Sequence, residues 1–256
     1  MSARTEQDRR GRWASRSVQA LFLIALISLW TFATTWGHVS PILLPHPLAV
    51  LQELIDVLKT GEFIGDLRIT LTELAVAFII AALSGTVAGY LISRSPYAIK
   101  VFEPLMAGAY SVPVILFLPL YVLFFGLGPP SKIALGTTIS FFPIALNTIA
   151  GFGYIDKIFV TSARSMGASN FQLFRWVLLP AAFPVILTGL RMGFTVALLA
   201  ILGSETIASL GGLGHRIVHL AESMDMARMF AYITFAVAIA AFLNAAVSRL
   251  EAKWKR

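Results

Sequence analysis

No cysteine occurs among the 256 residues, so disulfides and thiolate chemistry are excluded and the redox compartment is unreadable. Charge is scarce as well: only 13% of residues are charged, and the acids, 13 against 20 Lys and Arg, are the scarcer sign. No Gly-x-x-x-x-Gly-Lys-Ser/Thr loop is present, so the chain does not bind ATP in the usual way by itself. His-Glu-x-x-His and Gly-x-Ser-x-Gly are missing too, which leaves no catalytic constellation and no enzyme reading. His215 and His219 stand four apart without a third ligand nearby, so no metal site is expected. What fills the chain instead is apolar: 57% of residues are hydrophobic, and the mean hydropathy is +0.80. That composition is a polytopic membrane protein of the all-α class.

Six spans are the simplest count, at about 18–36, 69–93, 101–126, 133–153, 182–203 and 226–247. The first follows a polar segment bearing Arg4, Arg9, Arg10, Arg12 and Arg16; it lacks a small-residue cleavage site and reads as retained rather than as a signal peptide. Between the first two spans, Val50, Leu51, Leu54, Ile55 and Leu58 alternate with Gln52, Glu53, Asp56 and Lys59 as in an amphipathic helix closed by Gly61. The second span carries Gly85 and Gly89, a small-xxx-small face for close helix packing. The third contains Pro104, Pro113 and Pro119 and is expected to bend or break near Ser111-Val112-Pro113, as backbone lining a cavity does.

Basic residues set the orientation. With the N-terminus inside, the inner face collects the first five arginines, Arg94, Lys100, Lys157, Arg164, Arg175, Arg249, Lys253, Lys255 and Arg256, against Lys59, Arg68, Lys132, Arg216 and Arg228 outside. Both termini are therefore expected in the cytoplasm, with 1–17 a basic N-terminal segment, 18–249 one transmembrane domain and 250–256 a basic tail. Basic residues at loops and ends are topology signals, so no nucleic acid is expected as a partner, whereas membrane lipid is.

The longest polar interruption in the second half, within the loop 154–181, signals two short helices joined at an angle. Asp156 is an N-cap, Gly167 suits the left-handed residue just past a helix end, and Ser169 with Gln172 forms a capping box. Phe171, Phe174 and Leu178 fall on one face of the second arm, with Asn170, Gln172 and Arg175 elsewhere. The orientation makes this bent hairpin cytoplasmic, and its shape suits docking a soluble partner.

These residues resemble the coupling loop of ATP-binding-cassette importer permeases, whose pattern is Glu-Ala-Ala, three residues, Gly, nine residues, then Ile-x-Leu-Pro. Thr161-Ser162-Ala163 stands at the triplet, Gly167 at the glycine and Val177-Leu178-Leu179-Pro180 at the end, with both spacings kept. Thr161 and Ser162 depart from Glu and Ala, which removes any charge contact from the first position. The likeness extends to Leu44-Pro45-His46-Pro47, Phe141 to Thr148, Leu187 to Arg191 and Gly211-Gly212-Leu213-Gly214, and is similar to the subgroup importing sulfonates, taurine or nitrate.

The resemblance implies a type I importer permease in the bacterial inner membrane, working as two permease copies on a dimer of cytoplasmic ATPases with an extracytoplasmic solute-binding protein. ATP and Mg would belong to the partner ATPase, with no cofactor in this chain. It also implies that Thr161, Ser162, Ala163, Arg164, Ser165, Met166, Gly167, Ala168, Ser169 and Pro180 couple ATPase closure to the spans. The cargo would be a small anion; a neutral or aromatic vitamin precursor, or a membrane protein that only recruits a soluble partner, stays open.

Candidate pathway residues are Ser111, Pro113, Thr138, Ser140, Asn147, Arg191 and Glu205. Each has two readings. Arg191 lies inside an apolar run, where it either attracts an anionic cargo or anchors helix packing. Glu205, beside Ser204 and Thr206, is either part of an outer gate or a satisfied interfacial carboxylate. Thr138, Ser140 and Asn147 either line a pathway or bond neighbouring helices. Glu73 is similar, with no role implied by the family.

Overall fold

The structure, a computed structural model, describes residues 18, 21–22, 24–37, 40 and 43–254, without the side chains of 250, 253 and 254. The basic segment 1–17, part of the first expected span and the tail residues Lys255 and Arg256 lie outside that description. The described residues are helical, without strands. They divide into two compact units, one within Met1–Gly61 and Ile217–Phe235, the other within Glu62–Arg216 and Ala236–Arg256.

In the first unit, α1 (Ile24–Thr35) is a short apolar helix, and α2 covers Pro47–Thr60. Pro47 pre-sets the first turn of α2, the His46 side chain accepts from the Leu48 amide at 3.2 Å, and Gly61 ends the helix at φ 70°. The expected amphipathic helix is thus present, but Val50 and Val57 are its buried residues while Leu51, Ile55 and Leu58 stay exposed. Arg228 approaches Glu53 and Asp56 at 3.9 Å each. The Trp30 indole donates to the Pro45 carbonyl at 3.1 Å and packs 5.9 Å from the Phe230 ring.

In the second unit, α3 (Phe63–Ser93) and α4 (Pro96–Tyr110) are followed by a 3₁₀ turn (Val114–Phe117), α5 (Leu118–Phe125) and α6 (Pro129–Gly153). The hairpin then brings α7 (Lys157–Ser165) and α8 (Asn170–Leu173); a π turn (Phe174–Leu178) leads into α9 (Leu179–Ile207). Helices α10 (Leu213–Glu222) and α11 (Met226–Trp254) each begin in one unit and end in the other.

Among the described residues, four helical segments are long and apolar enough to cross a membrane: Phe63–Ser93, Pro129–Gly153, Asn170–Ile207 and Met226–Arg249. The third expected span is broken at the foreseen place, since Pro96–Tyr110 and Val114–Phe125 meet at 71°. Pro113 supplies no N–H, and the chain turns there instead of continuing a helix. The expected span 182–203 is longer than its apolar run suggests. It begins at Asn170, so the second arm of the hairpin is the start of the span and not a separate short helix.

Helix α6 sits between α3 and α9. A lipid-facing chain gains little from burying apolar surface against another helix, so close backbone approach must supply the packing. The glycine pair of α3 provides it: a Cβ on Gly89 would stand 2.6 Å from the Ala145 carbonyl and from Thr148 Cβ. On the opposite side, a Cβ on Gly193 of α9 would meet Ile144 at 2.6 Å. Leu74, Ala197 and Leu198 then pack with Ala240 and Leu243, which places α11 beside α3 and α9.

Candidate functional site

The hairpin is closed by its own backbone. The Asp156 carboxylate accepts from the Ile158 amide at 2.9 Å and starts α7, and Gly167 at φ 81° ends it by donating to the Arg164 carbonyl at 2.9 Å. Ser169 and Gln172 form the capping box, with Gln172 Oε1 accepting from the Ser169 amide at 2.8 Å and Ser169 Oγ from the Gln172 amide at 3.3 Å. The bend therefore needs no neighbour to hold its shape.

One side of this hairpin is seated and the other is bare. Ala163 and Leu173 are buried, and the Phe174 ring lies 5.5 Å from Tyr90 at the end of α3 and 6.2 Å from Phe152 at the end of α6. Tyr90 and Phe152 complete the trio edge-on at 5.0 Å. By contrast Met166 at the tip is 82% exposed, with Ile158, Phe159, Phe171 and Trp176 exposed beside it. Phe171 was expected to share the buried face of Phe174. Instead it faces outward and Leu173 takes the buried place, because the seated face is centred on Leu173, Phe174 and Val177, with Phe171 beyond its edge. Pro180 offers no N–H to the Trp176 carbonyl, and the helix widens into the π turn just before it.

Of the expected coupling residues, Thr161, Ser162, Arg164, Ser165, Met166, Gly167, Ser169 and Pro180 are exposed, Ala168 is partly so and Ala163 is buried. Thr161 to Ser169 make up the end of the first arm and the tip, and Pro180 stands apart at the start of α9.

The candidate pathway residues do not form one site. Ser111 and Pro113 mark the break between α4 and α5 and are exposed. Thr138 Oγ1 donates to the Ala134 carbonyl at 2.9 Å and accepts from the Tyr121 hydroxyl at 2.9 Å. Ser140 is fully buried where α6 meets Gly193. Asn147 Nδ2 donates to the Pro143 carbonyl at 2.8 Å and reaches Met192 Sδ at 3.8 Å.

Arg191 and Glu205 end in different surroundings. Arg191 Nε stands 3.0 Å from Glu251 Oε2, and Thr188 donates to the other Glu251 oxygen at 3.1 Å. A cavity of about 650 Å³ opens beside this pair, lined by Arg191, Met192, Thr195, Asn244 and Ser248 among others. Glu205, at the far end of α9, is buried and accepts from Thr70 Oγ1 at 2.7 Å and from the Gly214 amide at 2.8 Å. Thr70 Oγ1 in turn accepts from the Leu213 amide at 3.0 Å. Glu205 thus holds the turn containing Gly211, Gly212, Leu213 and Gly214 against α3.

Three residues of this end were not foreseen as a group. Glu73 and Lys132 are fully buried on α3 and α6, as Glu205 is on α9. The Lys132 ammonium donates to the carbonyls of Leu127 and Gly128, which cap it inside the fold. Glu251 was likewise missed, as it had been read only as part of a tail. A carboxylate falling between apolar positions of the last helix was the available signal.

The comparisons with known proteins bear on family and fold. Residues 81–256 match the family described as binding-protein-dependent transport system inner membrane component. The chain is similar to the taurine transport system permease protein TauC of Escherichia coli (strain K12), 33% identical over 226 residues that cover 86% of this chain and 82% of that one. It is 28% identical to the aliphatic sulfonates transport permease protein SsuC of Bacillus subtilis (strain 168), described as putative, over 98% of this chain and 92% of that one. It is also 29% identical to the formylaminopyrimidine transport permease protein ThiX of Halalkalibacterium halodurans, over 92% and 95%.

Among solved structures, a chain of the inward-facing MetNI methionine ABC transporter superposes with a TM-score of 0.62 at 20% identity, covering 74% of this chain and 94% of that one. A chain of a bacterial ABC transporter importing the acidic polysaccharide alginate gives 0.65 at 13% identity, over 98% and 99%. At such identities the structures speak for the fold alone. With the family matched over its larger part, the chain belongs to the binding-protein-dependent transport system inner membrane components, the permease subunits of ABC importers, in the sulfonate and taurine subgroup.

Proposed function

We propose that this permease forms the translocation pathway for a small sulfonate-type anion. A solute-binding protein delivers the anion from outside, and a separate cytoplasmic ATPase dimer drives it through the hairpin Thr161–Ser169. Two copies of the chain build the pore, each with six spans and both termini inside, in line with the excess of Lys and Arg at that face. ATP and Mg bind to the partner, since the chain carries no phosphate loop. The observation that carries the reading is the hairpin itself: self-capped, bare and apolar at Met166 and Phe171, and tied by Phe174 to the ends of two spans. A partner pressing on the bare side therefore acts on α3, α6 and α9 together.

Purification of the chain from its native membrane, followed by identification of what accompanies it, tests this coupling. A soluble ATPase in equal amount is expected with the native chain and not with Gly167→Val, because a branched residue is strained at φ 81°. An intact chain that brings no ATPase overturns the coupling assignment.

The similarity to a formylaminopyrimidine permease favours a second reading, a neutral vitamin precursor as cargo. Arg191 separates the two. Its Nε stands 3.0 Å from Glu251 Oε2, beside the cavity that Thr195, Asn244 and Ser248 also line. For a sulfonate, Arg191→Gln is expected to abolish taurine or alkanesulfonate uptake with the complex still assembled, and Glu251→Gln to retain it. For a neutral precursor, Arg191→Gln leaves uptake unaltered.

A further inference from the structure

A second cavity, of about 350 Å³, lies where the hairpin meets the span ends, and no role in coupling or transport accounts for it. Its polar lining comes from Tyr90 and Arg94 on the α3 side and from Arg164 and Asn170 on the hairpin side, above a floor that includes Leu173 and Phe174. No carboxylate lines it. The salt bridges of the described residues, Arg191 with Glu251, Arg216 with Glu62 and Arg228 with Glu53 and Asp56, include neither Arg94 nor Arg164. Among the described residues, two like charges therefore converge on one concave space without a counter-charge.

Such an arrangement is unfavourable when empty of anions and becomes favourable when one enters, because charge-assisted bonds then replace repulsion. The guanidinium groups, the Asn170 amide and the Tyr90 hydroxyl are all donors, and a phosphate offers acceptor oxygens in several directions at once. The apolar floor accepts the carbon skeleton of a phosphate ester better than a bare, strongly hydrated ion. Arg94 is also the first residue after the apolar helix Phe63–Ser93, the depth at which lipid headgroups lie.

We propose that this cavity is a phosphate-ester site, joining the end of α3 to the coupling hairpin through one bound anion. The proposal rests on the cytoplasmic placement of the hairpin. A phosphate held by Arg94 and Arg164 together ties the hairpin to the span end independently of the Phe174 ring cluster. Occupancy then stiffens the seat of the hairpin, whatever the cargo.

The test uses the purified full chain in detergent, examined by native mass spectrometry with added phosphatidylglycerol, phosphatidylcholine or inorganic phosphate. The native chain is expected to retain one phosphatidylglycerol in preference to phosphatidylcholine. In Arg94→Gln/Arg164→Gln that retention should weaken by roughly 30-fold, two basic contacts near a membrane surface acting together. Both side chains are exposed, and an unchanged elution volume in size exclusion confirms that the variant folds.

If inorganic phosphate at millimolar concentration displaces the lipid or binds in its place, the site stands and a soluble phosphate ester is its source. If phosphate does not compete, the lipid headgroup is the source. Equal retention of phosphatidylglycerol by the native chain and the double variant, without phosphate binding, overturns the proposal. So does retention of phosphatidylcholine that equals phosphatidylglycerol. These readouts need no ATPase, so a failed coupling assignment and a failed anion site are told apart.

Discussion

The two ends of α9 solve the same problem in opposite ways. At the Glu205 end, a buried carboxylate, a buried threonine hydroxyl and two backbone amides form a closed set of hydrogen bonds around a glycine-rich turn. At the hairpin end, the backbone caps itself, the helix loosens into a π turn, and the attachment to the spans is a cluster of three rings. Buried polar bonds demand fixed distances and are costly to break halfway. Ring contacts tolerate sliding. The first end is built to stay in register, the second to be pushed.

The sharpest way to break the contrast is Gly212→Val. Gly212 sits at φ 103°, and a side chain there would run into the Glu205 carboxylate. A loss of at least about 3 kcal/mol is expected from strain and overpacking, seen as poor recovery of monodisperse protein and a lowered melting temperature in detergent. Glu205→Ala comes next. It leaves the Thr70 hydroxyl and the Gly214 amide without their acceptor in a buried place and should cost about 2–3 kcal/mol in the same melting assay.

At the other end, Phe174→Ala removes a partly exposed ring with two aromatic neighbours, and about 1–2 kcal/mol of stability is expected to go. Its larger effect should be on coupling, with the partner's ATPase activity losing its response to loaded binding protein while the complex still assembles. If Phe174→Ala proves as damaging to folding as Glu205→Ala, the two ends do not differ as described. The smallest effect belongs to Arg228→Ala. Its pairs with Glu53 and Asp56 are 3.9 Å long and partly exposed, so a change within about 0.5 kcal/mol is expected by thermal melting.

The same contrast explains what was legible in the sequence. The hairpin was readable because its signals are local: Asp156, Gly167, Ser169 and Gln172 act on amides within a few residues of themselves. The break at Ser111-Val112-Pro113 was readable for the same reason. The bonds around Glu205 were not, because Thr70 and Glu205 are 135 positions apart and nothing in either neighbourhood names the other. Lys132 counts in the sequence among basic residues expected outside the spans; its burial goes with its bonds to the carbonyls of Leu127 and Gly128, just before α6. Phe171 lies outward because the seated face is centred on Leu173 and Phe174, and two aromatic positions three apart do not tell which edge of the face is covered. The full length of the span Asn170–Ile207 is hidden because polar residues such as Asn170, Gln172 and Arg175 occupy its first turns, ahead of the π turn and α9.

That uninterrupted helical path has a mechanical meaning. Asn170–Ile207 comprises 38 residues, and at about 1.5 Å per residue this is a rod of roughly 57 Å. Tilting such a rod by about 5° around its midpoint carries each end through about 2.5 Å in opposite directions. A displacement of that size is larger than the tolerance of a hydrogen bond and smaller than the width of a side chain. A modest swing at the hairpin would therefore be transmitted to Glu205 as a choice between keeping its grip on Thr70 and Gly214 and letting go.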